Sequence, residues 1–326
     1  GELIVTEPEE RKLLRATAAK VMASAHPQRE LAAMDLVGVG VDAADTVLAD
    51  ALVVHEEIGR RLAPVSYIVD NAARLVLHRL GVQPAPASLA LDPDQLTWTL
   101  EPANGWLAFA DSARAVLVAR ATSGSDLAIE AVPAAALGPA PLQTFDLSFP
   151  LAELTTVASG ERLATVPSAG LAAILDEVRA FSCAALCAEM VGSAEQCLDD
   201  AIVQLKTRRQ FGQVIGAFQA LQHKAADMAI QLEGMRAMLA ALAEPHFACT
   251  MANPTLQMAK PYIADGYVAI AETCLQLYGG MGYSWEHGSH RRLRHARRAS
   301  QMLGSPAALR ARQVHVFAAA SASRDA

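Results

Sequence analysis

Aromatic side chains are scarce in this chain, at 5% of 326 residues. Long apolar runs are missing too: no uncharged stretch reaches the roughly 18 to 20 residues that a bilayer-spanning helix needs, which excludes a helical membrane protein. Residues 1–6 hold no basic segment followed by an apolar stretch and a small-residue cleavage site, so no secretory signal is read and the expected location is the cytoplasm. Positive charge is in deficit. With 27 Lys and Arg against 34 Asp and Glu, the net charge of −7 disfavours general affinity for nucleic acid or anionic lipid. The five cysteines, Cys183, Cys187, Cys197, Cys249 and Cys274, are odd in number and lack framework spacing, so no disulfide is expected. Cys183 and Cys187 lie four apart on one helix face, but no His or second Cys pair stands at ligand spacing. No metal site is expected, and the pair reads as buried structure.

What is abundant is Ala, Leu and Val, and a 52% hydrophobic content supplies a large core for a chain of this length. The spacing predicts helices first. Thr6-Glu7-Pro8-Glu9 reads as a capping box ahead of Leu13, Leu14, Thr17 and Val21. A second helix is expected from near Asp45 to Pro64, and a third over 66–80, stopped by Gly81. Pro84, Pro86 and Pro93 then punctuate a loop. After it, alternation at 95–100 and short apolar runs at 106–110, 115–120, 127–132 and 145–151 predict a small sheet or barrel.

From about residue 168 the period returns to that of helices, over 170–206 and along the stripes Ala225 to Leu239 and Leu256 to Cys274. A last helix is opened by Ser305-Pro306. Helices apolar on more than one side want neighbours, so an antiparallel bundle that also makes subunit contacts is expected. The fold class is therefore mainly α with a small β domain, divided as an N-terminal helical domain (1–82), a reduced middle β domain (83–165) and a C-terminal four-helix bundle (166–326).

Two segments hold the candidate chemistry. Arg208-Arg209-Gln210-Phe211-Gly212, followed by Phe218-Gln219, His223 and Asp227, presents a guanidinium, an amide and an aromatic ring at a turn between two helices. Such a trio suits a phosphate and a heterocycle, because the Arg fork matches phosphate oxygens and the ring offers a stacking face. A plain polar corner between helices is the alternative. Gln276-Leu277-Tyr278-Gly279-Gly280-Met281-Gly282-Tyr283 places three glycines within four positions, where backbone can approach a ligand closely. It is no Walker A loop, and it does not follow a strand as the dinucleotide fingerprint requires. Glu286 and a cluster of Arg291, Arg292, Arg294, Arg297 and Arg298 come next. The cluster reads either as a phosphate or nucleic-acid patch or as a solvated helix face.

Together, in order and separation, the two segments resemble the C-terminal bundle of the acyl-CoA dehydrogenase family. The N-terminal helix and the stretch from His55 to Pro64 are similar to that family's opening domain, and 95–151 to a pared-down middle sheet. The resemblance implies FAD as cofactor, lying at a subunit boundary. It assigns contacts to FAD adenine and pyrophosphate to Arg208, Gln210, Phe211, Gln276, Gly279 and Gly280. It also implies α,β-desaturation of an acyl-CoA thioester, in which a carboxylate removes the α proton while hydride leaves the β carbon.

That carboxylate is missing where the family keeps it. In one branch the position falls on Leu303, ahead of Gly304-Ser305, and leucine accepts no proton. In another it falls on Ser182. Glu177 and Glu189 are the nearest alternatives, and Glu189 is about 10 Å further along the helix axis. The strands that hold the flavin ring in the family have no counterpart over 81–125. A chain that keeps the dinucleotide contacts but lacks base and ring pocket resembles the short subunit of actinobacterial α2β2 acyl-CoA dehydrogenases, several of which act on steroid side-chain thioesters. The implied partners are a longer paralogue that binds most of the acyl-CoA, and an electron-transfer flavoprotein or similar acceptor. Two other readings stay open: a self-sufficient homo-oligomer with a relocated Glu, and a non-enzymatic interaction module.

Overall fold

The computed structural model describes residues 8–34, 36–39, 41, 48–83, 87–101, 105–122 and 124–322, with side chains to residue 314. Four helices come first: α1 (Glu9–Met22), α2 (Pro27–Ala33), α3 (Leu48–Arg61) and α4 (Tyr67–Arg79). The expected cap residues Thr6 and Glu7 and the expected start at Asp45 lie outside the described residues. Pro8 is the N-cap of α1 and not part of its first turn. Helix α3, the second helix expected from the sequence, ends at Arg61, ahead of Pro64, where Leu62 turns into the left-handed region (φ 48°).

Among the described residues the β region holds eight strands: β1 (Ala90–Asp92), β2 (Thr97–Thr99), β3 (Trp106–Ala108), β4 (Ala115–Ala121), β5 (Asp126–Pro133), β6 (Pro139–Pro141), β7 (Leu151–Leu154) and β8 (Glu161–Pro167). They form one sheet in the order β2-β1-β3-β7-β6 and another in the order β4-β5-β8, all pairings antiparallel. The strand expected over 145–151 is a turn over 145–150 instead, and only Leu151 is in a strand, at the start of β7. Phe145, Leu147 and Phe149 do alternate, but the Asp146 carboxylate between them accepts from the Ser148 amide (2.9 Å) and hydroxyl (2.7 Å) and from Arg298 Nε (3.0 Å). A buried acceptor with three donors folds the chain around itself.

The bundle consists of α5 (Ser168–Thr207), α6 (Gln219–Leu242), α7 (Pro254–Tyr278), α8 (Ser289–Gln301) and α9 (Pro306–Ala322), with a short hairpin, β9 (Arg209–Gln210) and β10 (Gln213–Val214), between the first two. Ser305 caps α9 as expected, its hydroxyl accepting from the Ala308 amide (3.2 Å). One apolar core runs from Trp98 in β2 through Phe181 and Cys187 in α5 to Tyr267 in α7. The α8 helix ends on a buried cation. Lys260 Nζ donates to the Ala299 (2.7 Å) and Ser300 (3.2 Å) carbonyls, acceptors that a helix C-terminus leaves without intrahelical partners.

Helices α3 and α5 meet backbone to backbone. A Cβ at Gly59 would overlap the Glu189 carbonyl, and one at Gly192 would overlap the Glu56 carbonyl. Each glycine lets the other helix in. Alanine at either position is expected to cost about 1 to 3 kcal/mol or more through overpacking, and to lower the midpoint of chemical unfolding accordingly. Unchanged midpoints for both variants would show that the helices separate at little cost.

Candidate functional site

The two segments singled out in the sequence are joined by hydrogen bonds from Arg208 and Lys224. Helix α5 ends at Thr207, and Arg208 turns extended and sends Nη1 to the carbonyl of Tyr278, the last residue of α7 (2.8 Å). The chain then reverses through β9 and β10, with Phe211 (φ 53°) and Gly212 (φ 78°) at the tip. Successive left-handed residues make the two-residue hairpin turn whose twist suits paired strands. That turn holds the Phe211 ring outward, 88% exposed and edge-on to Phe218 at 6.1 Å. Gln210 lies on the same hairpin, exposed and paired with Gln213.

On the other side Gly279 takes φ 61° and ψ −140°, a conformation in practice restricted to glycine, and so turns the chain out of α7. Its N–H is occupied by the Gln276 carbonyl, so this amide is not a spare donor. The glycines do expose backbone. A Cβ at Gly279 or Gly280 would meet nothing within 4 Å, whereas one at Gly282 would press on the Leu275 carbonyl and on Tyr278. The exposed Gln276 side chain accepts from Lys224 Nζ at 3.3 Å. Lys224 was not singled out from the sequence. It adds a second cation to Arg208, and only its meeting with Gln276, 52 residues away, reveals it.

The arginine cluster is mostly engaged inside the chain. Arg292 reaches Ser193 Oγ and the Arg60 carbonyl, Arg297 pairs with Glu272 and Arg298 with Asp146. Arg294 bonds the Phe145 carbonyl and sits over the Phe145 and Trp285 rings at 5.2 and 4.6 Å. Among the described residues Arg291 alone of the five has no such partner.

The base position is packed shut. Leu303 is 1% exposed, its backbone is left-handed (φ 58°), and its amide donates to the Leu96 carbonyl (3.0 Å) beside the fully buried Trp98. Ser182 is also fully buried. Of the alternatives, Glu177 is gripped by Arg79 through Nε (2.8 Å) and Nη2 (2.5 Å). Glu189 is 5% exposed, with His55 Nδ1 at 2.8 Å and His295 Nε2 at 3.9 Å. Burial alone would raise its carboxyl, but the two imidazoles and Arg298 outweigh burial and hold it down to about 2. So low a value makes a poor acceptor for an α proton, and His55 Nδ1 already engages one of the two oxygens.

A match to the family profile described as "Acyl-CoA dehydrogenase, C-terminal domain" covers residues 170–314, the span that holds both segments. Over most of its length the chain is similar to the acyl-CoA dehydrogenase IpdE2 of Mycobacterium tuberculosis, with 30% identity covering 93% of this chain and 95% of that one. This chain belongs to the acyl-CoA dehydrogenase family. IpdE2 of Mycolicibacterium smegmatis is 29% identical over 91% of the chain and 96% of its own length. Among solved structures, a variant of the Tcur3481-Tcur3483 steroid ACAD superposes with TM-score 0.75 at 24% identity, covering 96% of this chain and 99% of that one. Glutaryl-CoA dehydrogenase from Mycobacterium smegmatis gives TM-score 0.75 at 18% identity, over 94% of each chain. The expected fold, helices then sheet then bundle, is that of the family.

The residues present fit one end of FAD. Two cations, an exposed amide, open glycine backbone and an outward phenyl ring suit a diphosphate and an adenine. Leu303 and Trp98, by contrast, both lie in the closed core.

Proposed function

We propose that this acyl-CoA dehydrogenase family member supplies the adenine and diphosphate half of an FAD site shared with a longer paralogous subunit, which holds the flavin ring and the catalytic base. The observation behind this reading is the Arg208 to Tyr278 bond. It sets a guanidinium beside open glycine backbone, on a chain whose own base position is a buried leucine. Arg208, Lys224, Gln276, Gly279 and Gly280 bind the diphosphate and orient it, and Phe211 and Gln210 border the adenine. FAD supplies the hydride acceptor for desaturation of the acyl-CoA. The thioester is bound mainly by the partner, in an α2β2 assembly that passes electrons to an electron-transfer flavoprotein or a similar acceptor. The steroid class named for one solved relative is carried over as the substrate class.

Expressed alone, the chain is expected to purify nearly colourless and without turnover of acyl-CoA. With the longer subunit it is expected to hold one FAD for each pair of unlike chains, read from flavin absorbance against protein mass. A yellow, active homo-oligomer would overturn the proposal. Within the pair, Glu177→Gln is expected to leave turnover within about twofold, because a true base would cost orders of magnitude. A collapse of turnover in that variant would move the base back into this chain.

A further inference from the structure

The glycine turn is held at both ends by one closed set of contacts. Upstream, the Tyr278 carbonyl takes the Arg208 guanidinium, and the Tyr278 hydroxyl donates to the Asp200 carbonyl on α5 (3.0 Å). Burial pushes that phenol up to about 12, so it remains a donor over the ordinary pH range. Downstream, Ser289 Oγ donates to the Gly282 carbonyl (2.9 Å) and lies 2.9 Å from His287 Nδ1. The His287 ring then packs on the Tyr278 ring, centroids 4.1 Å apart. The circuit runs from Tyr278 through the glycines to Gly282, on to Ser289 and His287, and back to Tyr278.

A hydroxyl has one hydrogen, and that of Ser289 is committed to Gly282. The 2.9 Å contact therefore requires His287 Nδ1–H to be the donor, giving a chain from imidazole to hydroxyl to glycine-turn carbonyl. The same nitrogen then cannot accept from the Ser289 amide at 3.3 Å, the longer of its two contacts. Gly279 and Gly280 touch nothing on their open side, so no packing around the glycines fixes the backbone they present; the bonds of the single 3-10 turn over Gly279–Tyr283 shape it, and these contacts anchor its two ends.

We infer that His287 and Ser289 are positioning residues for a nucleoside diphosphate: through the Gly282 carbonyl and the Tyr278 ring they hold the glycine turn in its binding shape. The inference rests on the function proposed above. His287→Phe keeps a ring against Tyr278 but loses the nitrogen, Ser289→Ala breaks the chain in its middle, and His287→Asn gives up the ring but retains a side-chain N–H near Nδ1.

ADP is titrated onto the full-length chain, with amide chemical shifts of Gly279, Gly280 and Gly282 followed by NMR and thermal stability recorded for each variant. His287→Phe and Ser289→Ala are expected to weaken ADP by about fivefold to tenfold, the loss of one hydrogen bond. His287→Asn is expected to restore binding to within about threefold, a rescue that a purely structural role, read in thermal stability alone, does not predict. Arg208→Ala separates the two claims. If it weakens ADP while His287→Phe and Ser289→Ala do not, the positioning role is wrong and the shared-site reading stands. If the wild-type glycine amides ignore ADP, both fall.

Discussion

Arg208→Ala in the assembled enzyme is expected to weaken FAD by about 10- to 100-fold and to leave the fold of this chain in place. The magnitude follows from a charge-assisted hydrogen bond to phosphate, worth about 1.5 to 3 kcal/mol when the partner is a desolvated anion. Among the described residues one guanidinium nitrogen is engaged, at the Tyr278 carbonyl, and the residue is half-buried at a helix end outside the core. The structural loss is therefore about 1 kcal/mol, that of one hydrogen bond, and it leaves the helices packed. Arg208→Lys is expected to fall between wild type and alanine, since an ammonium keeps the charge but not the fork. Arg291→Ala, an exposed cation without a partner among the described residues, serves as the control and is expected to leave FAD affinity unchanged. The measurement is a titration of the apo-complex followed by flavin fluorescence. Equal affinities for wild type and Arg208→Ala would remove the diphosphate from this corner of the molecule.

How much of this corner the sequence displays depends on the residue. Arg208, Phe211 and the glycines sit in spaced motifs beside strongly periodic helices, so their local structure and their family resemblance read off together. Tyr278, Ser289 and His287 have no such signature, because their roles exist only once α7 and α8 have turned toward one another. Lys224 is hidden for the same reason. The α8 helix is obscured by composition: its buried positions are Ser289, His295, Ala296, Ala299 and Ser300, which carry no apolar stripe for periodicity to find. The misplaced strand at 145–151 fails differently. Alternation was present, but a buried carboxylate with donors from Ser148 and Arg298 outweighed it, and a partner 152 residues away is invisible to a local pattern.

Glu189 is the weakest of the sequence-level candidates for catalysis and the strongest for stability. It joins three helices: its carboxylate on α5 meets His55 from α3 and His295 from α8, and His295 Nδ1 in turn lies 3.0 Å from the Tyr267 hydroxyl of α7. Removing one member of a buried ionic group leaves His55 Nδ1 without its acceptor and His295 with Tyr267 alone, so Glu189→Ala is expected to cost about 3 to 5 kcal/mol. Glu189→Gln is milder, because its side-chain oxygen still accepts from His55 Nδ1. The two carboxamide and carboxylate forms also separate by pH. A carboxyl lowered from 4.5 to about 2 on folding contributes stability that is fully present above about pH 4.5 and is lost as pH falls toward 2. The shift corresponds to about 3 kcal/mol at neutral pH. The stability gap between wild type and Glu189→Gln, measured by urea unfolding, is therefore expected to shrink by about 3 kcal/mol as pH falls from about 5 to 2. Other carboxylates titrate in both proteins and cancel in the difference. A gap that stays constant down to pH 2 would mean that Glu189 is not held as a carboxylate by His55 and His295, and would reopen its candidacy as a proton acceptor.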